Sequence, residues 1–197
     1  MNIKRSVLLF CGLGLCLCLL ACKANTGGGS ETEIFKTVYK QDKNYEILSD
    51  DDLTAFHYFV KDHNGYMIDE GYHDARGSFD IDQKGTFVIL DYGYGGNARL
   101  QRYYDVSNGR VSRFFERPVA SSGELVAYFS VNGDDQIVLV VQNMFDPDKY
   151  YKEIIRDFSD FVLKDEAKAA FSENNTKLSI AYWTGPDNEW VSEMIDL

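Results

Sequence analysis

The sequence predicts a mainly β protein laid out as an antiparallel meander. From about residue 36, short aromatic or β-branched runs alternate with period two, and turn signals separate them. The turn glycines at 65, 85, 109 and 133 recur at intervals of 20, 24 and 24 residues. A repeat of about 22 residues holds two short strands, so four strands fill about 44 residues, the size of a propeller blade. The chain has room for about three and a half such blades, fewer than the usual minimum for a closed ring. The expected fold is therefore partial-propeller-like or a small barrel, with a β-sandwich as the alternative.

The predicted strands are TAFHYFV (54–60), GYMIDEG (65–71), GSFDI (77–81), TFVILDY (86–92), ARLQRYY (98–104), RVSRFF (110–115), ELVAYFSV (124–131) and QIVLVVQ (136–142). Asn64-Gly65, Asn108-Gly109 and Asn132-Gly133 lie between them and supply the positive φ that tight hairpins need. One or two helices are expected near residues 147–171. Asp146-Pro147 reads as N-cap and first helical residue, and Tyr151, Ile154, Ile155 and Phe158 fall at helical spacing. DEAKAAF (165–171) reads as a shorter helix. Strands resume at KLSIAYW (177–183) and EWVSEMI (189–195), with Gly185-Pro186 marking the turn between them.

The amino terminus has a different build. Lys4 and Arg5 precede an uncharged apolar run to Ala21, shorter than the roughly 20 residues a spanning helix needs. A basic start, a short apolar core and a small residue at its end make a secretory signal. Leu19-Leu20-Ala21-Cys22 resembles the lipobox of bacterial lipoproteins. That resemblance covers about the first 22 residues and implies cleavage before Cys22, with acyl chains on its sulfur and its new amino group. Lys23 follows in place of an aspartate, so there is no inner-membrane retention signal of the kind some two-membrane bacteria use. The domain layout expected is signal peptide (1–21), glycine-rich tether (22–35) and one exported β domain (36–197). Two or more acyl chains hold a protein firmly to a bilayer, so the expected partner is a membrane on the cell surface or periplasmic side.

All four cysteines, 11, 16, 18 and 22, lie at or before that site. The exported domain therefore has no disulfide and no thiolate metal ligand, and its 176 residues are held by core packing. Without Lys4 and Arg5 the chain carries 18 basic and 31 acidic residues, a formal charge of −13. Phosphate backbones repel such a surface, which argues against nucleic-acid binding.

Candidate chemistry is sparse. DEGYHDARG (69–77) gathers Asp69, Glu70, His73 and Asp74 in a predicted loop, where a carboxylate beside a histidine could serve acid–base work. Asp80 and Asp82 match the first and third positions of an EF-hand loop, and Gly85 the sixth. Lys84 at the fifth and Asp91 at the twelfth break that match, so the run reads as a hairpin turn. Gly93 to Ala98 can be aligned with G-x-G-x-x-A, but a strand follows where a dinucleotide site needs a helix. No nucleophile elbow or zinc-protease motif occurs, and no cofactor is implied.

Aromatic residues supply the binding candidates: Tyr92, Tyr94 and Tyr103 around Arg99, and Trp183 and Trp190 flanking the last turn. The expected function is a lipid-anchored, non-catalytic binding or envelope-associated module that contacts an envelope protein or glycan. A hydrolase of envelope polysaccharide or peptide, built on His73, is the alternative. An inhibitor or immunity protein for a secreted factor is a third reading.

Overall fold

A computed structural model describes residues 35–74, 77–94, 98–164 and 167–197. Their strands make four antiparallel meanders in chain order. The first sheet joins β1 (Thr37–Asp42), β2 (Tyr45–Ser49), β3 (Ala55–Lys61) and β4 (Met67–Asp74). The second joins β5 (Phe79–Lys84), β6 (Phe87–Tyr94), β7 (Ala98–Asp105) and β8 (Arg110–Val111), with β9 (Phe115–Glu116) also pairing β7. The third joins β10 (Pro118–Ser122), β11 (Leu125–Val131), β12 (Ile137–Asn143) and β13 (Tyr151–Ile155). The fourth joins β14 (Lys168–Phe171), β15 (Lys177–Thr184) and β16 (Glu189–Asp196). The mainly β meander and its four-strand unit are as the sequence predicts, and among the described residues no sheet closes into the small barrel expected as one form of it.

Successive sheets pack face to face, as blades do. Tyr45, Ile47, Tyr58 and Val60 of the first sheet meet Ile81, Val88, Leu90 and Tyr104 of the second. On the second sheet's other face, Ile89 and Tyr103 meet Val126, Tyr128, Val138 and Val140 of the third. The alternate residues of the same two strands, Ala127, Phe129, Leu139 and Val141, turn to Leu178, Ile180, Tyr182 and Ile195 of the fourth. The third sheet is thus buried on both faces, which is why β11 and β12 read as almost unbroken apolar runs.

Backbone bonds repeat from sheet to sheet. The carbonyls of Asn44, Thr86, Glu124 and Thr176 accept the amides of Lys61, Val106, Met144 and Leu197. Each bond ties the start of a sheet's second strand to the end of its third. In the first three sheets an Asx side chain heads the next turn. Asp62 accepts the amides of Asn64 and Tyr66, Asp105 that of Ser107, and Asn143 those of Phe145 and Asp146. Gly65 and Gly109 stand in two of these turns and Gly85 in the β5–β6 turn, at φ of 87°, 64° and 61°, where a side chain would be strained. In the turn after β11 the positive φ falls on Asp135 instead of Gly133.

The helices expected over 147–171 are a correction. Asp146-Pro147 opens a turn closed by the Lys149 amide on the Asp146 carbonyl. Tyr151–Ile155 then forms β13, paired with β12 from Val138 to Gln142. Ladder bonds to a buried strand outweigh the local helix signal, because Ile154 alone enters the core while Ile155 stays exposed. Lys168–Phe171 is likewise a strand, and among the described residues the helical element here is a 3-10 turn at Asp160–Lys164. No helix among the described residues is long and apolar enough to cross a membrane.

Candidate functional site

Three neighbouring strands of the second sheet build a charged cleft. Asp80, Asp82 and Lys84 share one face of β5, Ile89 and Asp91 extend it on β6, and Arg99 and Gln101 complete it on β7. The cleft holds about 170 Å³. Register decides its chemistry, since Asp80 pairs directly with Asp91 across β5 and β6. Like charges at that spacing repel. Cations on either side offset the repulsion: Lys40 of β1 donates to Asp80 at 2.8 Å, while Arg99 donates in fork geometry to both oxygens of Asp91. Gln101 adds a hydrogen bond to Asp91 at 2.8 Å and accepts one from the Tyr103 hydroxyl at 2.7 Å. With those pairs formed, Asp82 and Lys84 are the oppositely charged groups presented to a ligand.

The stretch Asp69 to Asp74 is strand, not loop, and this disperses the acid–base candidates. Alternation sends Asp69 and His73 to one face of β4 and Glu70 and Asp74 to the other. Asp69 is committed to the core edge, accepting the Tyr104 hydroxyl at 2.6 Å and the Arg102 guanidinium at 3.0 Å. Its oxygen and burial push the Tyr104 hydroxyl pKa far up, burial being the larger cause. His73 is four residues away, about 13 Å along an extended strand. It is buried against the rings of Phe79 and Tyr92 at 5.0 and 4.9 Å. Burial lowers its pKa, with Asp74 opposing. Asp69, Glu70, His73 and Asp74 therefore do not converge on one point.

Nor do the tyrosines form one surface. Tyr92 belongs to the core between the first and second sheets, and Tyr103 to the core between the second and third. Burial raises the Tyr103 hydroxyl to about 12. Tyr94 ends β6, and its side chain lies outside the described residues, as does Cys22. Trp183 and Trp190 do meet, directly paired across β15 and β16 with rings 5.0 Å apart and edge to face. Trp190 remains exposed.

Asp80 and Asp82 find no ligand set around them: among the described residues no group of three His, Cys, Asp or Glu side chains could hold a metal ion. The glycine-rich run joins β6 to β7, as its strand-like flank predicts. Sequence reasoning met Asp80 and Asp91 only in an EF-hand comparison and Arg99 only among the tyrosines, and passed over Lys40 and Gln101. The signal that unites them is strand register, legible once the hairpin turns are aligned. No protein-family model matches the chain, and no curated protein is significantly similar to it.

Proposed function

We propose that this protein is an exported, acyl-anchored binding module without catalytic activity. The observation that carries the binding reading is the cleft of Asp80, Asp82, Lys84, Asp91, Arg99 and Gln101. Its charges stand on three adjacent strands, so their spacing is held by ladder bonds before any ligand arrives, which limits the entropy cost of binding. The oppositely charged pair Asp82 and Lys84 suits a small zwitterion carrying an ammonium and a carboxylate. The cleft contains no histidine, cysteine or serine, and the hydrolase candidates around His73 are spread over both faces of β4.

The anchor rests on Leu19-Leu20-Ala21-Cys22 and is tested by mass spectrometry and membrane fractionation. A diacylated or triacylated Cys22 at the mature amino terminus supports it. A mature amino terminus without acyl groups, or a Cys22→Ser chain cleaved and membrane-bound like the wild type, would count against it. The cleft is tested by thermal shift against a panel of free amino acids and small amino sugars. A compound that raises the midpoint of the wild-type chain and loses that effect in Asp82→Asn and Lys84→Met supports the reading. A panel without any such compound removes small zwitterions as its ligand.

A further inference from the structure

Among the described residues one strand edge keeps a long straight ladder with no strand beside it, its side-chain cover being Lys152 on the Asp196 carbonyl. In the first three sheets a fourth strand, β4, β8 or β13, lies beside the third; in the fourth sheet β16 is itself the edge. Exposed edges present unpaired backbone donors and acceptors, and native proteins blunt them with bulges, prolines, short strands or cover. The other edges carry such devices. The ladders of β1, β4 and β10 shift register, and β10 begins at Pro118. β8 is two residues long, and β13 is five. Lys40 of β1 covers the Ile81 carbonyl of β5, and β14 packs beside β10. By contrast β16 pairs β15 over eight consecutive residues without a shift.

Its outward groups can be named. Leu197 donates its amide inward to Thr176, so alternation along an antiparallel ladder turns Asp196, Met194, Ser192 and Trp190 outward. The contact of Lys152 Nζ with the Asp196 carbonyl agrees, since that oxygen faces away from β15. Trp190 and Met194 are exposed on the same face of the strand.

We infer that the β16 edge accepts an extended, basic segment of another polypeptide as a fourth strand, bonded to the backbones of Trp190, Ser192 and Met194. The mode of occupancy follows from the repeat, because an antiparallel strand fills this place in the other three sheets. The charge follows from Asp187 and Glu189 at the start of the edge and from the chain's net −11, since Glu193 and Asp196 are already paired with Arg156 and Lys177. In a second copy the two-fold register of greatest overlap sets Trp190 against Asp196 and brings two Glu193–Arg156 pairs directly opposite, so self-pairing is the competing outcome of the test.

This surface is separate from the cleft, so either can fail without the other. The test is hydrogen exchange on the full chain in mild detergent, with a peptide of about ten alternating lysines and valines as probe. The amides of Trp190, Ser192, Met194 and Asp196 should exchange fast in the chain alone and slow by at least about tenfold with the peptide. An alternating glutamate–valine peptide should have no such effect. Ser192→Pro removes an outward donor without touching the β15 ladder and should abolish protection, while Ser192→Ala keeps it. Protection at another edge, equal protection by the acidic peptide, or undiminished binding by folded Ser192→Pro overturns the inference. So does slow exchange of these four amides in the chain alone, whether constant or rising with protein concentration. Should Ser192→Pro not fold, the two peptides on the wild-type chain still decide.

Discussion

The guanidinium of Arg110 lies 2.6 Å from the carboxylate of Asp105, whose side chain is 3% exposed. Arg110 also donates to Glu124 and stacks over the Phe145 ring, so one side chain links the second sheet to the third. Burial disfavours the Asp105 anion, but bonds from Asn108, Ser107 and Arg110 prevail and hold its pKa well below the usual carboxylate range. Asp105→Ala leaves Arg110 with half its partners and should cost about 3 kcal/mol in urea unfolding. The sign with pH follows from the depressed value. This stabilisation is complete above the unfolded pKa near 4 and is lost as pH falls through the folded one. Acid unfolding of Asp105→Ala should therefore be shallower below pH 4 than that of the wild type. Equal slopes would remove Asp105 as a source of acid lability.

A second prediction separates strand from helix at Tyr151–Ile155. Ile154 is 3% exposed and Ile155 54%. Ile154→Ala should cost about 3 kcal/mol by chemical denaturation. Ile155→Ala should stay within about 0.5 kcal/mol. Comparable losses would restore a helix with both residues on one buried face.

Gly71 of β4 sits directly across from Tyr58. A Cβ at Gly71 would stand 2.8 Å from Tyr58 Cε1 and from its hydroxyl oxygen. Gly71→Ala should destabilise by about 2 kcal/mol, because Tyr58 is itself buried in the core between the first two sheets. Tyr58→Phe made together with Gly71→Ala should recover part of the loss, measured as a double-mutant cycle in thermal unfolding.

His57 is buried among Phe35, Phe59 and Tyr72, and its Nε2 makes no hydrogen bond. Burial lowers its pKa, and Glu70 opposes only in part. The unfolded chain takes up a proton near pH 6.5 while the folded ring resists it. Stability is therefore full above that pH and declines as pH falls toward the folded value. His57→Phe should fold normally and show a flatter melting midpoint between pH 7.5 and 5. A steeper dependence would mean the ring is charged in the native state.

Much of the meander was readable because turn glycines and period-two runs are local signals. Two of the strands that escaped notice lack them, whereas β2, YEILS, does alternate and is missing from the predicted strands. β1, TVYKQD, is exposed almost throughout and so shows no apolar alternation, while β10, PVASS, is small and short. β13 was misread because Asp146-Pro147 and the spacing of Ile154, Ile155 and Phe158 satisfy a helix locally, whereas pairing with β12 is decided by residues near 140. The cleft was hidden for a related reason. Asp80 and Asp91 are eleven positions apart, and only the β5–β6 register shows that they face each other.

The stacking of sheets in chain order bears on how such a chain can be made. Among the described residues every strand ladder joins neighbours in sequence except that of β9 on β7, so the first sheet has all its ladder partners once Asp74 is available. A polypeptide delivered amino terminus first can complete one sheet, then use its apolar face as the template for the next. Nothing synthesised early must wait for a distant partner strand. Such local wiring keeps the entropy of closing each loop small and limits the time that half-built apolar surfaces spend in water.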